Sequence, residues 1–463
     1  MFSIERNTEY KIVTALLTTS DRLPEFEIDL KNIIISFQIY ENIDRPYLTA
    51  DFLLVDRNNI LQDFDFQGGE KLTIEFQQVE ELSTGNTISK DFLIRTVEDV
   101  VRADETTDSI QLHCVEYHTL TSSLQNISRS YKGRPTNIIT SILGEYLDKT
   151  AAVIGQDLID DLKVIVPNLS PLQAAMWINK RALSDLGLPF YLYSTMGTDN
   201  LVLRDLGDML GEQPINERTP FIYAPSLSTS GMSTQKFYNI MDFKITKTED
   251  LLSIINEGLV GATYDFYDTT TAVPMKVKFD VEDVFKELSY ENILGGDNER
   301  FVYAPDYKYN NVKFSQYETK SVTQLSSSGA YRNGLNNYKS YQDEETSGNH
   351  RKKVVAESLK SFLTKSPIQI TVKGREFITG DNNYTLGRLI RVLFLDTLST
   401  SENKELRFDT KKSGDYLVYA ARHTFDLSDV KTQLFCGRLG SLSGDFVLWA
   451  RFTTAIKTDG LWA

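Results

Sequence analysis

Residues 69–76 read GEKLTIEF, and the fold is predicted from this short stretch outward. Its apolar residues Leu72, Ile74 and Phe76 alternate with polar ones, which is the two-residue period of a half-buried β-strand. The glycine in front of it marks the turn that precedes the strand. Residues 387–394 read GRLIRVLF, so both stretches fit the pattern Gly-x-x-(Leu/Ile)-x-(Ile/Val)-x-Phe.

Two further pairs of similar stretches follow in the same order along the chain. DFLI at 91–94 has a counterpart in DYLV at 415–418, and QLHC at 111–114 has one in QLFC at 433–436. Three landmarks in one order, at nearly matched spacing, favour two copies of a single β-domain. The alternative is that unrelated strands resemble each other, because alternation with glycine turns is common in β-proteins.

Helical patterns appear between the two copies. PTNIITSILGEYLDKT (135–150) repeats apolar residues at helical spacing, and a second helix is predicted from an N-cap at Ser170 and Pro171 to an end at Gly187. The predicted fold class is α+β, mainly β, with two related antiparallel, tube-like β-barrel domains and α+β inserts. The predicted units are a first barrel (1–120), an α+β insert (121–235), a split second barrel (236–268 and 365–440), an insertion with a long polar arm at 306–350 and a helix (269–364), and a C-terminal extension (441–463).

The composition is that of a soluble globular chain with an acidic balance. The 463 residues include 49 basic and 64 acidic side chains, for a net charge of −15. Such a charge disfavours a protein that grips nucleic-acid phosphates, which requires Lys and Arg. We expect no secretory leader at the start MFSIERNTEYKIV and no membrane insertion. Two cysteines cannot form a disulfide framework, which favours assembly in a reducing cytoplasm.

The stretch IQLHCVEYH (110–118) poses the question of a metal site. In a strand, Cys114, Glu116 and His118 would share one face, whereas His113 would point the other way. An open zinc site needs three protein ligands, but no second element supplies one here. The favoured interpretation is a buried cysteine and edge-facing histidines in the closing strand of the first barrel. No metal and no cofactor are predicted.

Catalytic motifs are absent from the sequence. It has no HExxH, no Gly-x-Ser-x-Gly, no Walker loop and no Gly-x-Gly-x-x-Gly. The many carboxylates leave a glycosidase-like pair open as an alternative, but none is singled out, and a solvated acidic surface is favoured. We therefore predict no catalytic residue and no enzyme activity.

The stretch FQIYENIDRPYLTADFLLVDRNNILQDFDFQGGEKLTIEF (37–76) resembles the first barrel of the baseplate hub proteins of contractile-tailed phages, which have counterparts in type VI secretion spikes. The helix SPLQAAMWINKRA (170–182) resembles the insert of that family. The closing stretch at 413–440 resembles its last hairpin. The resemblance covers roughly residues 1–265 and 365–440.

This resemblance implies a structural role. Hub proteins of this family form homotrimers in which two related barrels per chain give a six-membered ring, joining a sixfold tail tube to a threefold spike. The implied partners are the central spike or tail lysozyme protein, tail tube or tube-initiator proteins and baseplate wedge proteins, while DNA passes the channel without specific binding. The implied location is the tail baseplate of a virion assembled in the host cytoplasm. Trp449 and Trp462 are predicted interface residues, because exposed aromatic side chains favour interfaces. The alternatives are a type VI or tailocin-like hub and a metal-dependent or cell-wall hydrolase.

Overall fold

The computed structural model describes the chain in segments that together form a mainly β architecture. The described residues are 10–19, 27–56, 66, 68–79, 87–104, 107–155, 162–184, 187–223, 238–245, 251–268, 274–284, 308–317, 321–326, 349–364, 367–378, 386–394, 409, 412–426 and 429–438. Trp449, Trp462, the C-terminal extension and most of the 306–350 arm lie outside them. Within this part of the chain, no helix is both long and apolar enough to span a bilayer.

The N-terminal residues form seven antiparallel strands because their apolar residues alternate with polar ones. On the fourth and fifth strands, every second side chain is buried. The strands are β1 (Tyr10–Thr18), β2 (Glu27–Asp29), β3 (Ile34–Asn42), β4 (Thr49–Asp56), β5 (Lys71–Gln78), β6 (Thr87–Asp104) and β7 (Thr107–Glu116).

Helices and short strands follow between residues 118 and 211. The two longer helices pack through buried residues that include Ile139 and Ile178. Pro171 begins the second of them after an N-cap at Ser170, but this helix ends at Asn179 and not at Gly187. The elements are α1 (His118–Ser123), β8 (Ser130–Gly133), α2 (Pro135–Leu147), β9 (Ala151–Ile154), β10 (Leu162–Ile165), α3 (Pro171–Asn179), β11 (Phe190–Tyr193), β12 (Leu201–Asp205) and α4 (Leu206–Gly211).

The described residues of the C-terminal half form further strands and the helices α5 and α6. The elements are β13 (Phe221–Tyr223), β14 (Asp242–Ile245), α5 (Leu251–Asn256), β15 (Gly261–Asp268), β16 (Pro274–Asp280), β17 (Lys308–Tyr309), β18 (Val312–Lys313), β19 (Ser321–Ser326), α6 (Asn349–Leu363), β20 (Ile368–Lys373), β21 (Leu389–Phe394), β22 (Gly414–Asp426) and β23 (Asp429–Gly437). Strand β15 was expected in the second barrel, but it pairs with β16 and β19.

Strands from both halves belong to one sheet, which has 13 strands in the described residues. Its order is β14-β20-β23-β22-β3-β4-β7-β6-β5-β1-β2, with β21 on β22 and β13 on β21. The order β3-β4-β7-β6-β5 of the first half therefore has a counterpart in β14-β20-β23-β22-β21 of the second. We call these five-strand groups the first and second strand sets.

The two strand sets agree in register as well as in order. Equivalent landmarks of the sequence repeat pair with equivalent residues in the two sets, and the bulge that follows falls at the same place. The matched pairs are Thr73↔Asp91 with Arg391↔Asp415, and Ile94↔Cys114 with Val418↔Cys436. The bulges lie between Ile94 and Thr96 and between Val418 and Ala420. The repeated sequence thus builds the same strand arrangement twice.

The predicted closed barrels do not form in the described residues. The first strand set rolls far enough to bring the ring centroids of Phe37 on β3 and Phe76 on β5 within 5.7 Å, although three strands separate them. Strand β3 does not close a barrel by pairing with another strand of its own set, however, because β22 of the second set pairs with its remaining edge. The result is one continuous curved sheet.

Candidate functional site at the seam between the two strand sets

The two strand sets meet where β22 pairs with β3, and we call this pairing the seam. Six residue pairs form it, from Ala420↔Asn42 to Phe425↔Phe37. Strand β22 reaches β3 because it continues past the end of β21 after its bulge, and its Tyr419 carbonyl accepts a hydrogen bond of 3.0 Å from the backbone N–H of Ile43.

Aromatic rings pack across the inner face of the seam. Phe37 and Phe425 stack with centroids 4.2 Å apart and planes at 7°. Tyr10 meets Phe425 edge-on at 5.2 Å, and Phe76 does so at 4.9 Å. Phe37 and Phe425 are 1% and 0% exposed, so this ring cluster is core shared by both sets. Such ring pairs contribute about 0.5–1.5 kcal/mol each beyond the apolar area they bury.

Polar groups occupy the same inner face farther along the seam. Glu41 on β3 and His423 on β22 are 4% and 1% exposed, and Glu41 Oε2 lies 3.4 Å from His423 Nε2. His423 Nδ1 lies 3.0 Å from Thr432 Oγ1. Burial raises the pKa of Glu41, but the neighbouring His423 imidazole and hydrogen bonds from Met196 and Thr195 outweigh it, so the net pKa is lowered. The carboxylate is therefore held in its charged form.

Two buried carboxylates of the first strand set, Glu41 on β3 and Glu116 on β7, hold the insert. The backbone N–H of Met196 donates to Glu41 Oε1. Ser194 Oγ donates to Glu116 Oε2 at 2.7 Å, and the backbone N–H of Leu48 donates to the same oxygen at 2.9 Å. Glu116 is 5% exposed. Both carboxylates thus fix the loop between β11 and β12 against the end of the first strand set.

Strand β7 presents Cys114 and Glu116 on one face and His113 on the other, as predicted, whereas His118 lies beyond the end of the strand. Cys114, Glu116 and His118 are all buried, whereas His113 faces outward between Asp51 Oδ1 at 2.5 Å and Glu98 Oε2 at 3.1 Å. The hydrogen bond with Asp51 is the largest cause that raises the pKa of His113.

His118 is placed at the start of α1, because β7 ends at Glu116. Its Nε2 donates to the Pro46 carbonyl at 2.8 Å, and burial lowers the pKa of its imidazole. Burial also raises the pKa of the Cys114 thiol, which disfavours the thiolate that metals require. Among the described residues, no group of three or more His, Cys, Asp or Glu side chains could hold a metal ion.

We expect the purified protein to contain no stoichiometric zinc. The Nε2 of His118 and the Oε2 of Glu116 would each have to give up a buried hydrogen bond to become ligands, which costs about 1–3 kcal/mol per group. Elemental analysis after metal-free dialysis measures this directly. The control is the His118→Ala variant, whose metal content should equal that of the parent. One zinc per chain that disappears in His118→Ala would contradict the expectation.

An open cleft of about 430 Å³ lies on the outer face of the seam. Three tyrosines line it, namely Tyr40, Tyr47 and Tyr419, together with Arg45. The hydroxyl of Tyr40 lies 2.9 Å from Asp51 Oδ2, and burial followed by this hydrogen bond raises the pKa of Tyr40 to about 12. Tyrosine-rich surfaces of this kind are typical of protein interfaces.

Sequence patterns did not single out Glu41, His423 or Met196. The one local signal was a charged residue at an inward position of an alternating strand, as at Glu41. The predicted interface residues Trp449 and Trp462 lie outside the described residues, so their interface role stays a prediction.

Comparisons with known proteins give a match in structure only. No family model matches the chain, and no curated protein sequence matches it. The 43 kDa tail protein of prophage MuSo2 from Shewanella oneidensis has a TM-score of 0.50 and 9% identity, over 92% of this chain and 98% of that one.

Two other solved structures are more distant. A tail protein from Neisseria meningitidis MC58 has a TM-score of 0.47 and 12% identity, over 93% of this chain and 96% of that one. An Escherichia coli component of the type VI secretion system has a TM-score of 0.39 and 8% identity, over 95% and 80%. The resemblance drawn from residues 37–76 is confirmed at the level of the fold, and this chain has the fold of a prophage tail protein.

Proposed function

We propose that this chain is a structural subunit of a phage tail baseplate, the homotrimeric hub of a contractile tail. The observation that carries the proposal is the pair of strand sets with equal order and register, joined side by side in one sheet. Three chains with two such sets each present six similar units, which is what a joint between a threefold spike and a sixfold tube requires. The tail-protein fold supports the same role.

The proposed partners follow from that position in the tail. They are the central spike or tail lysozyme protein on one side, tube or tube-initiator proteins on the other, and wedge proteins around the ring. DNA passes through the channel during ejection. The net charge of −15 per chain supports passage without binding, since acidic surfaces repel phosphates. The tyrosine-lined outer cleft is a proposed contact for one of these proteins.

The proposed role needs no catalysis. The buried carboxylates Glu41 and Glu116 hold the insert against the first strand set. A general acid or base must instead reach a substrate proton. We therefore assign them to the architecture of the hub and place the chain among the structural proteins of the virion.

We expect the purified chain to have three times the single-chain mass of 52.7 kDa in light scattering. Electron micrographs of the same sample should show a ring with six similar lobes around a channel, because each chain brings two strand sets. Purified spike protein serves as the partner in a parallel measurement, since trimer formation can depend on it. A chain that stays monomeric with the spike present, or that hydrolyses cell-wall material, would contradict the proposal.

A further inference from the structure

Strand β6 has an edge that no described strand occupies along half of its length. It pairs with β5 only from Thr87 to Leu93, and the last bond on this edge is from the Ile94 N–H to the Glu70 carbonyl, at 3.0 Å. The strand nevertheless continues to Asp104 while its opposite edge pairs with β7. The stretch 96–104 therefore presents backbone donors and acceptors without a strand partner in the described chain.

The equivalent edge of the second strand set is occupied. Strand β22 leaves β21 after the same kind of bond, from the Val418 N–H to the Arg388 carbonyl, also at 3.0 Å. Both strands then pass through a bulge at the matching position. Beyond the bulge, residues 420–425 of β22 pair with β3, as the seam. The counterpart of these residues in the first set is the unoccupied stretch of β6.

The counterpart of β3 also has one edge that no strand of the described residues occupies. Strand β14 pairs with β20 as β3 pairs with β4, and it ends the order of the main sheet. Its exposed residues include Lys244 and Ile245, the latter with 38% of its surface exposed. An exposed apolar side chain on an open edge strand invites pairing with another strand.

We propose that β14 of one copy of this chain pairs antiparallel with residues 96–104 of β6 in the next copy, so that the seam is repeated between subunits. The proposal rests on the trimeric ring proposed above and names the edges that close it. Each chain contributes one β14 edge and one β6 edge, so the contact is head-to-tail, and such a contact forms a closed ring when the rotation between neighbouring subunits divides a full turn.

The register of this pairing follows from the seam. Thr424 lies opposite Gln38 there. Val101 is the counterpart of Thr424, because it pairs with Ser109 as Thr424 pairs with Lys431. Lys244 is the counterpart of Gln38, because it lies one residue beyond Phe243, which faces Ile370 as Phe37 faces Phe52. Val101 of one subunit therefore lies opposite Lys244 of the next.

Cysteine cross-linking of the full chain tests this register. Opposed residues in antiparallel strands have Cα atoms about 4.5–5.5 Å apart, which suits a disulfide. The native Cys114 and Cys436 are both buried, so they give little background. In Val101→Cys/Lys244→Cys, mild oxidation should link subunits into dimers and trimers on denaturing gels. The yield should exceed that of Val101→Cys/Leu252→Cys by about tenfold, because a fixed pairing raises the effective thiol concentration.

Three controls separate the outcomes. The variant Gln38→Cys/Thr424→Cys should form its disulfide within one chain, because this pair is opposed in the seam. The mass of each double variant is measured by light scattering before oxidation. In the parent trimer, the backbone amides of residues 96–104 should be protected from hydrogen exchange as strongly as those of residues 420–425. A trimer with neither cross-links above control nor this protection overturns the pairing and leaves the hub proposal standing. A protein that stays monomeric with the spike present overturns both.

Discussion

The Phe37→Ala variant is expected to lose about 3–5 kcal/mol of its free energy of unfolding, which is the usual cost of emptying a buried aromatic position. Phe37 is 1% exposed and touches rings of both strand sets, with Phe425 at 4.2 Å and Phe52 at 5.6 Å. Its removal leaves a cavity at the place where the two sets share their core. Urea unfolding at one fixed protein concentration measures the loss.

Phe435 provides the matched control for this prediction. It lies on the outer face of β23, half-buried beside the tyrosine-lined cleft, so Phe435→Ala should cost clearly less than Phe37→Ala. A double-mutant cycle of Phe37→Ala with Phe425→Ala should give a coupling of about 0.5–1.5 kcal/mol from the stacked rings. Equal losses for Phe37→Ala and Phe435→Ala, or additive effects in the cycle, would show that the ring cluster does not join the two sets.

The second large effect is expected at Glu41. Glu41→Ala removes the buried carboxylate and leaves the His423 imidazole and the Met196 N–H facing a void, for a loss of about 1–3 kcal/mol for each group left without its partner. Glu41→Gln keeps an oxygen for the Met196 N–H and should lose less. The control is Glu75→Ala on the outer face of β5, where the carboxylate accepts a bond from Thr14 and is half-buried. That change should stay within about 1 kcal/mol.

Glu41 also gives the protein a predictable dependence on pH. Its pKa in the folded chain is lowered from 4.5, so the unfolded chain binds the proton first as the pH falls. The contribution of Glu41 is therefore complete above pH 4.5 and is lost as the pH falls through the lowered folded-state pKa. Unfolding curves measured from pH 7 downward should decline less steeply below pH 4.5 in Glu41→Gln than in the parent. Parallel curves for the two proteins would contradict the lowered pKa.

Sequence periodicity predicted the buried face of the strands at 71–78 and 107–116. In IQLHCVEYH it placed Cys114 and Glu116 on one face and His113 on the other, as in the structure, whereas His118, expected on the same strand, begins helix α1 and is buried there. The repeat landmarks at Asp91 and Asp415 lie on strands with one register. These features could be predicted because alternation and turns are local properties of the chain.

The same patterns could not predict which strands pair with each other. Alternation specifies the inward face of β3 but does not say that its edge pairs with β22, so closed barrels were the natural expectation. Glu41 and His423 face each other only because of that pairing, and no local pattern connects residues so far apart in the chain. The cap at Ser170 was predicted, but the end of α3 at Asn179 was not, because tertiary packing and not Gly187 determines it.

The seam also has a consequence for the order of events on the ribosome. The edge of β3 is complete once Asn42 has emerged, yet its partner begins at Ala420. At about 5–20 residues per second, the roughly 380 intervening residues take tens of seconds to synthesise. Throughout that time the nascent chain carries an open strand edge next to a preformed aromatic surface, which is a common cause of misassembly. Truncated or prematurely terminated chains are therefore expected to aggregate and not to accumulate as folded N-terminal fragments.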